Sequence, residues 1–229
     1  MKEVWGDTVR TRSPVRISFS ALLRVVDDDR YVLFASRTRP GACGPPGGVF
    51  KYFAPAARIL ESLEFQQERI GVQPERARWD LRGLLPASAV REVQKWFLTG
   101  AYRETATECL RRELHEELHE VGLAHLAPQA SSLAFSHVRT VVEGPHPVHG
   151  RPYWQLRRFE VYDMVTDSGD ALRLRARLAA CGRDDAYPDV ISANWDDIAH
   201  GRLGKALIAP PSSFLLGPTR LAPDVPPLR

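Results

Sequence analysis

The chain has 229 residues, 44% hydrophobic and 26% charged, with a formal net charge of +3. That balance excludes a disordered or collagen-like chain, and the length predicts one large domain, or one domain with an insertion, that needs no staples to bury a core. The mild positive charge favours anionic ligands slightly and does not argue for duplex nucleic acid. Three cysteines, Cys43, Cys109 and Cys181, are an odd number without metal spacing, so a reduced, cytoplasmic setting is expected. With no run of eighteen apolar residues and no signal-peptide pattern, no membrane association is expected.

In chain order, residues 1–13 are polar and read as an arm. Val15 to Val26 carries β-branched residues in mixed alternation, Asp27-Asp28-Asp29 breaks it, and Tyr31 to Ser36 resumes, which predicts a hairpin or meander. Residues 40–48 form a glycine- and proline-rich loop ending in Pro46-Gly47-Gly48, and Val49 to Phe53 reads as a strand. Ala54 to Ile70 is helix-like, Trp79 to Leu85 strand-like, and Ser88 to Leu98 amphipathic, with Val90, Val93, Phe97 and Leu98 available to pack. Phe135 to Val142 and Tyr153 to Val165 are strand candidates, and the proline- and histidine-bearing loop between them, 143–152, is expected to be mobile. Ala171 to Cys181 reads as a helix with many arginines. The Pro-rich tail, 217–229, has few core residues and is expected to be loosely held.

The stretch that carries chemistry is Glu104 to Glu117. At about 100° per residue, Glu113, Glu116, Glu117 and Glu120 form one acidic stripe on a helix. Leu110, Leu114, Leu118 and Val121 form the neighbouring apolar stripe that can face a core. Thr105-Ala-Thr-Glu108 has the form of a capping box, which places Thr105 at the N-cap and Glu104 just outside the helix. Gly122 suits the left-handed position past its end. Carboxylates three and four residues apart repel one another, burial makes that worse, and a divalent cation removes the problem. Mg²⁺ and Mn²⁺ take hard oxygen ligands of this kind. The other reading is a solvated charged face, with Arg111, Arg112, His115 and His119 as ordinary surface partners.

Glu104-x7-Arg112-Glu113-Leu114-x-Glu116-Glu117 resembles the Nudix box, Gly-x5-Glu-x7-Arg-Glu-(apolar)-x-Glu-Glu-x-Gly-(apolar), without a gap in its core. Both ends depart: Leu98 stands where the first glycine belongs, and Gly122-Leu123 arrives three residues late. Pro46-Gly47-Gly48 resembles the glycine turn that precedes the box. The resemblance implies an α/β Nudix fold, a mixed β-sheet sandwiched between helices, as a single domain over 14–216. An inserted, mainly helical segment, 54–98, would join the glycine loop to the box and narrow the ligand cleft. It implies that Glu113, Glu116 and Glu117 bind Mg²⁺ or Mn²⁺, that Gly47 offers its carbonyl, and that Arg112 and Glu104 pair to hold the carboxylates in place.

Arg16-Ile-Ser-Phe-Ser20, Gly47-Gly-Val-Phe-Lys51-Tyr52-Phe53, the long insertion and Lys95-Trp96-Phe97 together resemble a narrower group, the SMODS-associated Nudix domains. These accompany bacterial nucleotidyltransferases that make signalling nucleotides in antiviral defence. The resemblance implies a nucleotide-like ligand, a functional link to such a nucleotidyltransferase, and metal-dependent hydrolysis of a phosphoanhydride in a nucleoside diphosphate-linked molecule. A non-catalytic sensor that binds a nucleotide is the alternative. A homodimer is compatible with the sequence. Arg37, Arg39 and Lys51 flank the glycine loop and are candidates to hold phosphates, with surface charge as the alternative. Tyr52, Phe53 and Trp96 are candidates to stack a base, or simply core residues. His137 and Arg139 alternate along a strand and are candidates to line the cleft.

Overall fold

Alternation along the first strand sets the architecture. In Pro14–Arg24, Val15, Ile17 and Phe19 are fully buried while Arg16 and Ser18 are only partly so; from Ser20 to Leu23 every residue is buried. Half-buried alternation therefore gives way to a run covered on both faces, and the β-branched and aromatic content suits both. The computed structural model describes residues 14–37, 39–68 and 79–223. The arm expected over 1–13 and the last part of the tail, 224–229, lie outside the described residues.

Among the described residues the strands form two sheets. The first has the order Gln66–Gln67, Arg82–Pro86, Pro14–Arg24, Trp154–Met164, Phe135–Pro147, with Gly47–Val49 also paired to Pro14–Arg24. The second has the order Val190–Ala193, Arg30–Ala35, Ala42–Gly44, Ala206–Ile208, Arg202–Leu203, with Val26–Asp27 also paired to Arg30–Ala35. It is mixed: Phe34↔Gly44 and Val190↔Phe34 are antiparallel registers, whereas Ile208 runs parallel to Cys43. With the helices, this is the α/β class expected. No helix among the described residues is long and apolar enough to cross a membrane.

The chain divides into two compact units. The first takes in described residues 14–20, 49–68, 79–105 and 142–158. Here Pro14–Ser18 pairs antiparallel with Arg82–Pro86, from Pro14↔Pro86 to Ser18↔Arg82. Its core is built on Phe97, whose ring meets Phe19 edge-on at 4.7 Å and Phe50 at 5.2 Å between centroids. Contacts of this geometry add about 0.5–1.5 kcal/mol beyond area burial. Helix Val90–Thr99 supplies Phe97 together with buried Val90, Val93 and Trp96, and Gly100 ends it in the left-handed conformation.

The segment 54–98 is less helical than expected. The helix that starts at Ala57 stops at Ser62, because the chain turns left-handed at Glu64 (φ 55°) and Phe65 N–H closes back on Leu60 O at 2.9 Å. A short edge strand, Gln66–Gln67, follows, and residues 69–70 of the expected helix lie outside the described residues. The expected strand from Trp79 begins only at Arg82, since Trp79 itself has φ 72° and cannot be extended there. The expected loop over 143–152 is also shorter, because the strand Phe135–Pro147 runs into it.

The second unit takes in described residues 21–37, 39–48, 106–141 and 159–223. Its core groups Leu22, Leu33, Cys43, Val161, Ile198, Ile208 and Phe214, with the Phe159 and Phe214 rings 5.0 Å apart. Helix Ala106–Glu120 is held by buried Leu110, Leu114 and Leu118 with Val121 just past its end, the apolar stripe read from the sequence, and by Cys109 beside them. Burying each leucine contributes roughly 1.5–3 kcal/mol. Gly122, at φ 76°, ends the helix as expected: Leu123 N–H reaches Leu118 O at 2.7 Å and Gly122 N–H reaches His119 O at 3.4 Å.

Candidate functional site

Within the second unit, the glycine loop and the acidic helix meet at two adjacent glycines. Gly47 N–H donates to Glu117 Oε2 at 2.9 Å. Gly47 holds φ 130°, and a Cβ there would run into the Ala21 carbonyl, so only glycine brings its amide to that carboxylate. Next to it, a Cβ on Gly48 would land on the Glu113 carboxylate. The Gly48 carbonyl in turn accepts from Cys109 Sγ at 3.7 Å. One helical turn separates Glu113 from Glu117, so the two carboxylates address successive residues of the loop.

Arg112 braces the same helix face. Its Nη1 donates to Glu113 Oε1 at 2.7 Å and lies 3.7 Å from Glu116 Oε1, and Nη2 approaches Cys109 Sγ at 3.9 Å. Among the described residues no cation pairs with Glu117. Burial raises its pKa well above the ordinary carboxylate value, the neighbouring charge of Glu113 raises it further, and Glu120 and Glu116 add to that. The Gly47 N–H opposes them by favouring the charged form. A half-buried carboxylate held against three like charges is a place that gains from a cation.

Glu104 belongs to the first unit and lies outside the helix, as expected. It is 6% exposed and tied to Lys51 twice: Lys51 N–H donates to Glu104 Oε2 at 2.8 Å, and Glu104 N–H donates to Lys51 O at 2.9 Å. Arg103 anchors the same corner, donating from Nε to Phe97 O at 2.7 Å and from Nη1 to Glu104 O at 2.6 Å. Its guanidinium lies 3.8 Å from the Phe97 ring centroid.

The family model for the SMODS-associated NUDIX domain matches residues 14–216. The chain belongs to this family. The fold is therefore that of the Nudix hydrolase superfamily, and Glu104 to Glu117 lies within the matched residues. Comparison with curated proteins and with solved structures gives no match.

The remaining expected residues of this NUDIX domain fall in different places. Arg37, half-exposed, pairs with Glu120 of the acidic stripe. The Arg39 and Lys51 side chains make no hydrogen bond or ion pair among the described residues, so both cations are available. Tyr52 is 8% exposed, its ring edge-on to Trp79 at 5.2 Å and to Phe65 at 6.3 Å, so it serves the core and has little surface left for a base. Burial, and then Asp80, raise its pKa. Trp96 is buried too. Arg139 donates to Phe214 O at 2.8 Å, and His137 packs on Tyr162, with its Nε2 3.0 Å from Thr140 Oγ1.

Sequence reasoning missed the part played by Gly48 and Cys109. Cys109 stands inside the box, four positions before Glu113, and Gly48 in the loop before it, but nothing in a spacing pattern says that a thiol will touch a loop carbonyl. The Gly47 amide contact with Glu117 was missed as well, since attention to the carbonyl hides the N–H.

Nudix hydrolases generally use divalent metals. Among the described residues no three His, Cys, Asp or Glu side chains converge as a metal cage. The donors present are of another kind: two carboxylates one turn apart against a glycine loop, with a third, Glu116, held by Arg112. Mg²⁺ at nucleotide sites is held by one or two carboxylates, with phosphates and water completing the shell, and this donor set fits that arrangement.

Proposed function

We propose that this NUDIX domain hydrolyses a phosphoanhydride in a nucleoside diphosphate-linked molecule, with Glu113 and Glu117 holding Mg²⁺ or Mn²⁺ and Glu116 kept beside Arg112 on the same helix. The observation that carries the reading is the seating of Glu113 and Glu117 on Gly48 and Gly47. A bound divalent ion supplies charge neutralisation at the phosphate oxygens and a lower pKa for the attacking water. The chain's own residues do the positioning. Arg112 holds Glu113 and limits the swing of Glu116. The Gly47 amide fixes the Glu117 oxygen, and that backbone position is also where a carbonyl donor to the cation would come from. Arg39, in the same unit as Glu113 and Glu117 and without a hydrogen bond or ion pair among the described residues, is a cation available for phosphate oxygens, and in the first unit Glu104 locks the segment that bears Lys51.

The departures at both ends of the box, Leu98 and the late Gly122-Leu123, favour a second reading: a sensor that binds a nucleotide signal without cutting it. In either reading the ligand belongs with a signalling nucleotidyltransferase of bacterial antiviral defence, in the cytoplasm. A screen of nucleotide ligands with and without Mn²⁺, scored for both binding and cleavage, separates the readings. For the enzyme, replacing Glu113 and Glu117 together by Gln lowers turnover by orders of magnitude while the fold survives, each tenfold corresponding to about 1.4 kcal/mol of transition-state stabilisation. Full turnover in that double variant removes the helix from the chemistry. Binding by the wild type without turnover on any ligand leaves the sensor.

A further inference from the structure

The inserted segment begins after Phe53 and the chain comes back at Tyr102, and these two positions pair. Phe53 N–H donates to the Tyr102 carbonyl at 2.8 Å, and Tyr52 bridges antiparallel to Arg103. In such a pairing alternate residues share a face. Tyr52 and Arg103 turn to the core, the first among Trp79 and Phe65, the second over Phe97. Lys51 and Phe53 occupy the alternate positions of the first segment, with Glu104 and Tyr102 as their backbone hydrogen-bond partners.

Three of these side chains are unspent. Phe53 is 46% exposed and Tyr102 is 53% exposed. Neither ring packs on another aromatic ring among the described residues, nor does the Lys51 ammonium find a carboxylate there. The fourth, Glu104, is committed to the Lys51 backbone, which fixes the position of the strand that carries Lys51 and Phe53. Tyr102 also sits at φ 59°, the left-handed region where a tyrosine is held at a cost and a glycine is comfortable. Two open rings on paired positions, one kept in a strained conformation, beside a free cation are what a ligand with a flat face and an anionic part requires.

We propose that Phe53 and Tyr102 form the platform on which the base of the nucleotide ligand stacks, with the Lys51 ammonium taking one of its phosphate oxygens. This rests on the reading that the ligand is a nucleotide. Lys51 argues for that occupant over a second copy of the chain: a strongly hydrated ammonium two residues from Phe53 on the same segment suits a phosphate and penalises a dry protein contact. Stacking on aromatic side chains accepts any base, so the platform supplies affinity for nucleotides as a class and leaves the choice among bases to other contacts.

The test titrates the full chain calorimetrically with ADP, GDP, CDP, UDP and pyrophosphate, with and without Mn²⁺. At least one nucleoside diphosphate binds more tightly than pyrophosphate. Phe53→Ala and Tyr102→Gly each weaken that nucleotide by about 5- to 100-fold and leave pyrophosphate unchanged, whereas Tyr102→Phe keeps wild-type affinity. Tyr102→Gly also removes the left-handed strain, so its thermal midpoint does not drop sharply, which separates a lost contact from a lost fold. Lys51→Met weakens nucleotide and pyrophosphate together. The platform is overturned if no nucleoside diphosphate outbinds pyrophosphate, if both ring variants bind as wild type does, or if Phe53→Ala dissociates a dimer while nucleotide affinity stays. Loss of turnover in the Gln variants of Glu113 and Glu117 reports on the hydrolase reading alone: a chain that binds nucleotides through Phe53 and Tyr102 but cuts none of them ends that reading and leaves the platform standing.

Discussion

Replacing Glu117 by Gln isolates the electrostatic cost built into the acidic helix. In the wild type the Glu117 carboxyl is held above its ordinary pKa by burial and by Glu113, Glu120 and Glu116. A carboxyl whose folded pKa exceeds its unfolded one favours the folded state when protonated. Its penalty is therefore absent below the ordinary value of about 4.5, grows as pH rises through the window up to the raised value, and is complete above it. Like charges three and four residues apart on a helix each cost a few tenths of a kcal/mol, so Glu113 and Glu120 together, with burial adding to them, cost about 1 kcal/mol. Gln keeps an oxygen for the Gly47 N–H while dropping the charge. In EDTA at neutral pH, Glu117→Gln should be more stable than wild type by about 1 kcal/mol, a rise of roughly 2–4 °C in a chain of this size. Acidification towards the ordinary carboxylate range should close that gap. Saturating Mn²⁺ should invert the order, since a ligand at a hundred times its Kd adds about 2.7 kcal/mol to whichever form binds it, and the wild type keeps both carboxylates. Thermal melts of the two proteins across pH, in EDTA and in Mn²⁺, read all three. A Gln variant that is less stable than wild type in EDTA, or a gap that does not respond to pH, refutes the reasoning.

Gly48→Ala puts a methyl group where the Glu113 carboxylate lies, so Mn²⁺ affinity measured by titration should fall at least tenfold while the thermal midpoint in EDTA changes little. Glu104→Ala strips the Lys51 N–H of its acceptor inside the fold and should cost about 1–3 kcal/mol in denaturant unfolding, whereas Glu104→Gln, which keeps an acceptor, should cost less.

The acidic helix was legible almost to the residue, since an apolar stripe at helical spacing, a glycine at its end and a charged face all speak locally. Its limits, Ala106 and Glu120, follow from those cues. So did the strands that begin at Pro14 and Arg30, whose alternation and β-branched content survive in the fold. The inserted segment was misread where backbone conformation overrode composition: nothing in the side chains of Glu64 or Trp79 announces a positive φ, because it is imposed by closures such as Phe65 on Leu60. At the site, the carboxylates were readable and their supports were not. That Lys51 would grip Glu104 through its backbone, and that Tyr52 would face inward while Phe53 faces out, depends on a pairing between positions separated by the whole insertion.

Each unit is assembled from three separate stretches of chain, the first closing only with residues 142–158 and the second only with those after 159. During synthesis, then, the acidic helix is made well before the strand Trp154–Met164, which stands in the first sheet between Pro14–Arg24 and Phe135–Pro147. Such a chain folds late and through distant pairings, which slows it. It also offers no point at which a shorter version could be cut: ending the polypeptide after the Nudix box, however tempting as a minimal catalytic fragment, would leave both units without strands they need.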